Sequence, residues 1–108
     1  MKWLSRKEEL LLLAICKLQD NAYGVTIRAH VSKMTKKYWS IGAIYDVLDR
    51  LTRKGCVSTI DSEPTKERGG KSKRYYRISK RGFEALEEVR SLHKKTWSEL
   101  PKPAFEKR

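Results

Sequence analysis

The sequence predicts a mainly α fold with a β-hairpin wing: a winged helix-turn-helix extended by one C-terminal helix. Three observations predict it. Apolar residues recur at helical spacing in three successive segments before Gly55. The pattern then changes to two short runs rich in Val, Ile, Thr and Tyr around a Gly-Gly connector. Helical spacing returns after Ser79 and holds to about residue 99.

Each element has its own signals. In the first helix, about Leu4 to Gln19, Ser5-Arg6-Lys7-Glu8 has the form of a capping box. Leu4, Leu11, Ile15 and Leu18 share one face, with Leu10, Leu13 and Ala14 beside it, so the helix meets more than one partner element. Asp20-Asn21 ends it. After Tyr23-Gly24 a short helix runs from about Val25 to Met34, its apolar side expected from Val25, Ile27, Val31 and Met34. Thr35-Lys36-Lys37-Tyr38 is a basic turn. Ser40 caps a third helix, Ile41 to Lys54, which Gly55 stops. Two helices separated by so short a turn suggest a helix-turn-helix. The strand-like runs are Val57 to Glu63 and Lys73 to Ile78, joined by a charged connector from Pro64 to Lys71. Ser79 caps the last helix, Lys80 to about Glu99, and Pro101 and Pro103 end it. The expected division is a winged helix-turn-helix over 1–82, a dimerisation helix over 83–100 and a frayed tail over 101–108.

Size and composition remove several classes. A chain of 108 residues holds one small core. The longest apolar run, Leu10 to Cys16, is too short to span a membrane, and no secretory signal pattern is visible. Cys16 and Cys56 are isolated in apolar stretches and read as reduced thiols of a cytoplasmic protein. With His30 and His93 they lack metal-ligand spacing, so no metal and no cofactor are expected. No nucleophile–base set or phosphate loop is present, so no enzyme activity is expected; Gly69-Gly70 alone is a turn.

The formal net charge of +12 points to a polyanion, and its distribution is polarised. Residues 64–82 carry eight Lys/Arg against a single Glu67. Residues 28–39 add Arg28, Lys33, Lys36 and Lys37. The last helix, by contrast, is close to neutral. Basic groups gathered on the wing and the helix-turn-helix fit a face that meets phosphates. On the third helix, Ile44, Val47, Leu48 and Leu51 point to the core. Gly42, Asp46, Asp49, Arg50 and Arg53 occupy the opposite face, with Tyr45 on the flank. Gly42 allows close backbone approach, Tyr45 offers a hydroxyl to a phosphate, and Arg50 and Arg53 reach phosphates or guanine edges. Asp46–Arg50 and Asp49–Arg53 are spaced i,i+4 and are expected to pair internally, the other role for an aspartate here being acceptance from cytosine N4. The expected DNA-binding set is Tyr23, Lys36, Lys37, Ser40, Gly42, Tyr45, Arg50, Arg53, Lys71, Lys73 and Arg74.

The run Gly42-Ala43-Ile44-Tyr45 with Leu48, Arg50, Leu51 and Gly55 resembles the signature of the PadR family of bacterial and archaeal transcriptional regulators, in its short form. Tyr23-Gly24 with Ile27 resembles the start of that family's second helix. Arg74-Tyr75-Tyr76-Arg77-Ile78-Ser79-Lys80-Arg81-Gly82 resembles its wing exit, with Tyr76 packed inward. The resemblance covers about residues 4–97. Asp46 stands where many members have proline, and Ser79 where threonine is frequent. The resemblance implies DNA binding and dimerisation through the last helix.

Phe83, Leu86, Val89, His93, Trp97 and Leu100 lie on one side of that helix, bordered by Ala85, Leu92 and Thr96. So wide an apolar arc is expected to pack on a two-fold mate and on the first helix, with Leu11, Ile15, Leu86, Val89, Leu92, His93 and Trp97 at the interface. In some members of the resembled family, aromatics of this helix line a cavity for flat aromatic ligands; here Trp3, His93 and Trp97 are the candidate pocket for a small aromatic effector. The leading function is therefore a homodimeric, sequence-specific DNA-binding regulator acting as a repressor. The alternatives are an RNA-binding or architectural nucleic-acid protein and a module for an acidic protein partner. A membrane role is not expected.

Overall fold

The computed structural model describes residues 3–62 and 73–106. The Ser5 hydroxyl accepts the Glu8 N–H at 3.2 Å, and the Glu8 carboxylate accepts the Ser5 N–H at 2.8 Å. This reciprocal cap starts α1 (Arg6–Leu18). A 3₁₀ turn, Gln19–Asn21, leads to α2 (Gly24–Thr35), where the Tyr23 N–H donates to Thr26 Oγ1 at 3.0 Å. Lys36 ends α2 in the left-handed region, at φ 56°. Ser40 opens α3 (Ile41–Arg53) by accepting the Ala43 N–H at 3.1 Å. Gly55, at φ +73°, turns the chain out of α3 into β1 (Val57–Asp61).

β2 (Arg74–Ile78) pairs antiparallel with β1 in the register Val57↔Ile78, Thr59↔Tyr76 and Asp61↔Arg74. Its other edge is held too. Tyr76 donates its backbone N–H to the Ala22 carbonyl at 2.8 Å, and Tyr23 bridges Tyr75. The hairpin is thus stitched to the segment between α1 and α2, which fixes the wing against the helix-turn-helix. Tyr76 points inward and is buried, as the resemblance implied.

The core is where the three helices meet the hairpin. Leu11, Leu12 and Ile15 of α1 pack with Ile27 and Val31 of α2, Ile44, Leu48 and Leu51 of α3, and Val57 and Tyr76 of the hairpin. Val25 and Met34 were expected on the apolar side of α2 and are exposed instead. Val25 lies about 100° round the helix from Gly24, off the Gly24–Ile27–Val31 stripe. Met34 lies near the end of α2, beyond the last buried residue of that stripe, Val31. Leu13 is exposed as well.

The last helix, α4 (Lys80–Ser98), is capped by Ser79, whose hydroxyl accepts the Gly82 N–H at 3.0 Å and donates to the Gly55 carbonyl at 2.6 Å. A side chain at Gly82 would overlap the Cys56 carbonyl oxygen and lie 2.9 Å from Ile78 Cγ1. Glycine is therefore what lets α4 rest directly on the chain leading into β1. Leu86 and Val89 still pack toward the core. From Arg90 to Leu100 every residue is exposed. The radius of gyration is 17.0 Å, against about 13 Å for a compact chain of this length, and the free half of α4 contributes to that excess. Residues beyond it form a 3₁₀ turn, Ala104–Glu106. Among the described residues no helix is long and apolar enough to cross a membrane, and no cluster of metal-ligating side chains occurs. Cys16 is half-buried and Cys56 buried; both are free thiols, and burial pushes both pKa values up.

Candidate nucleic-acid interface

The exposed face of α3 is built by its strong amphipathicity. With Ile44, Val47, Leu48 and Leu51 buried, the opposite side is centred on Gly42, Asp49 and Arg53, which fall within about 40° of one another at 100° per residue. A Cβ at Gly42 would meet nothing within 4 Å. The fold has no steric need for glycine there, and the open space lies on the outward side of the first turn.

Tyr45 flanks this row and faces α2. A side chain at Gly24 would overlap the Tyr45 hydroxyl and lie 2.7 Å from the ring carbon that bears it. Gly24 is therefore the socket that seats Tyr45 against the N-terminus of α2, a reason that sequence spacing did not supply. Tyr45 remains 43% exposed, so one edge faces outward.

Arg50 departs from its expected role. It pairs with Asp46 at 3.2 Å, as the i,i+4 spacing predicted, but its Nε also reaches Glu8 Oε2 of α1 at 3.4 Å. A guanidinium held between these carboxylates ties α3 to α1 and is turned away from the outward row. The expected Asp49–Arg53 pair does not form, which leaves both side chains outward on the same row.

Glu8 is the residue the sequence reading undervalued. It is 1% exposed, and its Oε1 accepts Lys54 Nζ at 2.7 Å. Lys54 also donates to the Trp3 carbonyl at 3.2 Å. Burial alone would raise the Glu8 pKa. The Lys54 hydrogen bond, the Ser5 N–H and the charges of Lys54 and Arg50 outweigh burial and hold the carboxyl below its ordinary value. The signal was present in the sequence: Glu8 falls on the Leu11–Leu12–Ile15 face of α1, where only a paired carboxylate is tolerated.

The turn between α2 and α3 presents Lys36, Lys37 and Tyr38 outward. The Arg28 guanidinium stacks over the Tyr38 ring at 5.1 Å. Trp39 faces the other way, donating Nε1–H to Thr35 Oγ1 at 2.9 Å. Ser40 Oγ, expected at the DNA, is engaged in the α3 cap. On the wing side, Lys73 Nζ lies 4.2 Å above the Tyr23 ring, and Tyr23 meets Tyr75 edge-on at 5.4 Å. Lys73 and Tyr23, predicted from separate segments, thus form one cation–aromatic stack where wing and helix-turn-helix join. Arg74 pairs with Asp61 across the hairpin at 3.1 Å and stays exposed. Arg77 ties the wing to Asp20 at 2.9 Å. The whole connector from Pro64 to Lys71 lies outside the described residues, Lys71 included.

The proposed interface and effector residues separate into two sets. Leu11 and Ile15 are fully inside the protomer's own core and leave no surface for a partner, which corrects their expected place at an interface. Val89 and Leu86 are also largely covered within the protomer. Leu92, His93 and Trp97 are exposed, and Trp97 is 69% accessible. His93 Nε2 lies 3.6 Å from Glu9 Oε1, linking α4 to α1. Trp3 shares a shallow groove with Leu92 and Lys95, whereas Trp97 shares another with Thr96 and Leu100. Trp3 and Trp97 thus fall in separate grooves, and His93 lines neither of them.

A recognition helix with a buried apolar side and an open outer row, a basic turn before it and a hairpin fixed beside it define a winged-helix DNA-binding protein. The family model for the Transcriptional regulator PadR-like family matches residues 12–88, and the chain belongs to that family. It is a family of transcription regulators and not of enzymes. A PadR-like transcription factor from Bacteroides fragilis superposes with a TM-score of 0.74 at 24% identity, over 85% of this chain and 84% of that one. A PadR-like transcriptional regulator from Bacillus cereus gives a TM-score of 0.68 at 23% identity, over 85% and 84%. A transcriptional regulator from Clostridium thermocellum gives 0.66 at 23% identity, over 88% and 92%. A search of curated proteins gives no match.

Proposed function

We propose that this PadR-family regulator is a homodimeric repressor that binds double-stranded DNA at a two-fold operator. Each protomer lays α3 in the major groove and sets the wing on a neighbouring backbone. The observation that carries this reading is the outer row of α3: Gly42 has open space beyond it, and Asp49 and Arg53 are both turned outward. Lys36, Lys37, Lys73 and Arg74 flank that row, where they meet phosphates. Arg50 is left out of the contact set, because Glu8 and Asp46 hold it.

The free half of α4 supports the dimer. Leu92, Trp97 and Leu100 are exposed on a helix that has left its own core, and burying such side chains yields ~25 cal/mol per Å² of apolar surface. A two-fold mate covers them on both protomers at once. Footprinting on the DNA upstream of the protein's own gene and its neighbours tests the reading. The expected result is a protected inverted repeat with half-sites about one turn, 10–10.5 bp, or a multiple apart. Equal affinity for random duplex would overturn sequence specificity. Activation from the protected site in a reporter strain would overturn repression.

A further inference from the structure

We propose that Asp49 is a specificity-determining residue, its carboxylate accepting a hydrogen bond from the amino group of a cytosine in the major groove. The inference rests on the DNA-binding reading above and adds to it a residue and a base.

The reasoning starts from an anomaly. Asp49 is a carboxylate on the face of a +12 chain that is turned toward a polyanion. Facing phosphates it is repelled, so its presence weakens any contact with backbone alone. The protein fold makes no visible use of it. Asp49 is the ninth of 13 residues in α3, too far along to favour the positive end of the helix dipole, and aspartate is a poor helix former. It is exposed. Among the described residues no cation pairs with it. Arg53, four residues on, stays separate, and Arg74, which lines the same notch, pairs with Asp61 instead. Asp46 differs in this respect, because Arg50 neutralises it.

The surroundings of Asp49 say what it can accept. It lies in a polar notch of about 430 Å³ between α3 and the wing, lined also by Tyr45, Asp61, Arg74 and Tyr76. It shares the outward row with Gly42, seven residues earlier, or about 10.5 Å along the helix. The major groove admits an α-helix, and the missing side chain at Gly42 lets the helix sink toward the bases. In the major groove an acceptor-only carboxylate needs a donor. Cytosine presents its N4 amino group with no acceptor beside it on the same base, whereas adenine N6 comes with N7, which repels a carboxylate. Arg53, one turn further on, is placed to donate to guanine O6 and N7 on the same side of the helix.

The test is selection of bound duplexes from a library with a random central segment, using the full chain as wild type, Asp49→Ala, Asp49→Asn and Asp46→Ala. Thermal melting confirms that each variant is folded. Wild type is expected to enrich a two-fold motif with a C·G pair at one fixed position of each half-site. Asp49→Ala keeps the motif and its spacing but loses that single preference, about tenfold in relative affinity, while binding to random duplex rises several-fold. Asp49→Asn shifts the same position toward A·T, because an amide both donates and accepts on adenine. Asp46→Ala leaves the position unchanged. An Asp49→Ala motif that retains its cytosine, or loss of the position in Asp46→Ala instead, overturns the assignment while leaving the DNA-binding reading intact. A wild type that enriches no motif overturns both.

Discussion

At the scale of single residues, Glu8 shows how a buried charge sets a pH limit. Its folded pKa lies below the ordinary value because Lys54, the Ser5 N–H and Arg50 together outweigh its burial. A group with a depressed folded pKa adds stability above its unfolded pKa, about 4.3 for glutamate, and loses it as pH falls through the folded pKa. Thermal melting from pH 7 to pH 3 is therefore expected to show a fall in Tm below about pH 5, part of which disappears in Glu8→Gln. At pH 7 that variant is expected to lose roughly 2–3 kcal/mol, less than the full penalty for breaking a buried pair, because Lys54 and Arg50 are only partly buried. Two glycines give opposite expectations. Gly82→Ala forces a Cβ against the Cys56 carbonyl, a backbone atom that cannot rotate away, and melting should report a loss of at least about 2 kcal/mol. Gly42→Ala meets open space and should raise stability by roughly 0.5–1 kcal/mol while weakening duplex binding. A Gly42→Ala variant that bound DNA as well as wild type would remove Gly42 from the interface.

Among the secondary-structure elements, helices and strands were legible because their signals are local. The Ser5, Ser40 and Ser79 caps fall where the sequence placed them, and Gly55 takes the positive φ that a helix stop requires. What was not legible depends on which turn of a helix reaches the core. Val25 and Met34 are apolar residues of a short helix, and hydrophobicity alone cannot say that the buried stripe passes beside Val25 and ends before Met34. The same blindness misplaced Arg50: an exposed-face arginine and one bent inward to a buried glutamate have the same spacing, and only the fold brings Glu8 of α1 next to α3. Tyr23 and Lys73 were read from segments 50 residues apart, and the hydrogen bond from Tyr76 to Ala22 is what unites them. Their stack yields a prediction for the wing. Reversing Lys71, Lys73 and Arg74 to glutamate should abolish tight duplex binding at 100 mM salt and flatten its salt dependence, read by fluorescence anisotropy. Preserved affinity would mean that the wing does not grip phosphate.

For the whole molecule, the proposed dimer would couple oligomerisation to DNA recognition. One protomer offers a single α3, and the proposed phosphate contacts come from two short patches, the turn before α3 and the root of the wing. A two-fold pair doubles both and fixes their separation, so binding as a dimer is steeper in salt and tighter than binding as separate protomers. The joint of the proposed dimer is the half of α4 that extends past Val89, where Leu92, Trp97 and Leu100 are exposed. Because those residues are exposed and lie outside the core cluster, Leu92→Glu with Trp97→Glu should leave the folded core and its Tm near those of wild type when the latter is diluted below its dimer dissociation constant. Sedimentation at micromolar concentration should then show a monomer where wild type shows a dimer. On a duplex carrying both half-sites the variant is expected to lose at least tenfold in affinity, while on a single half-site it should match wild type. Equal loss on both duplexes would place α4 in direct contact with DNA, and a variant that still sedimented as a dimer would move the two-fold interface elsewhere on the protomer.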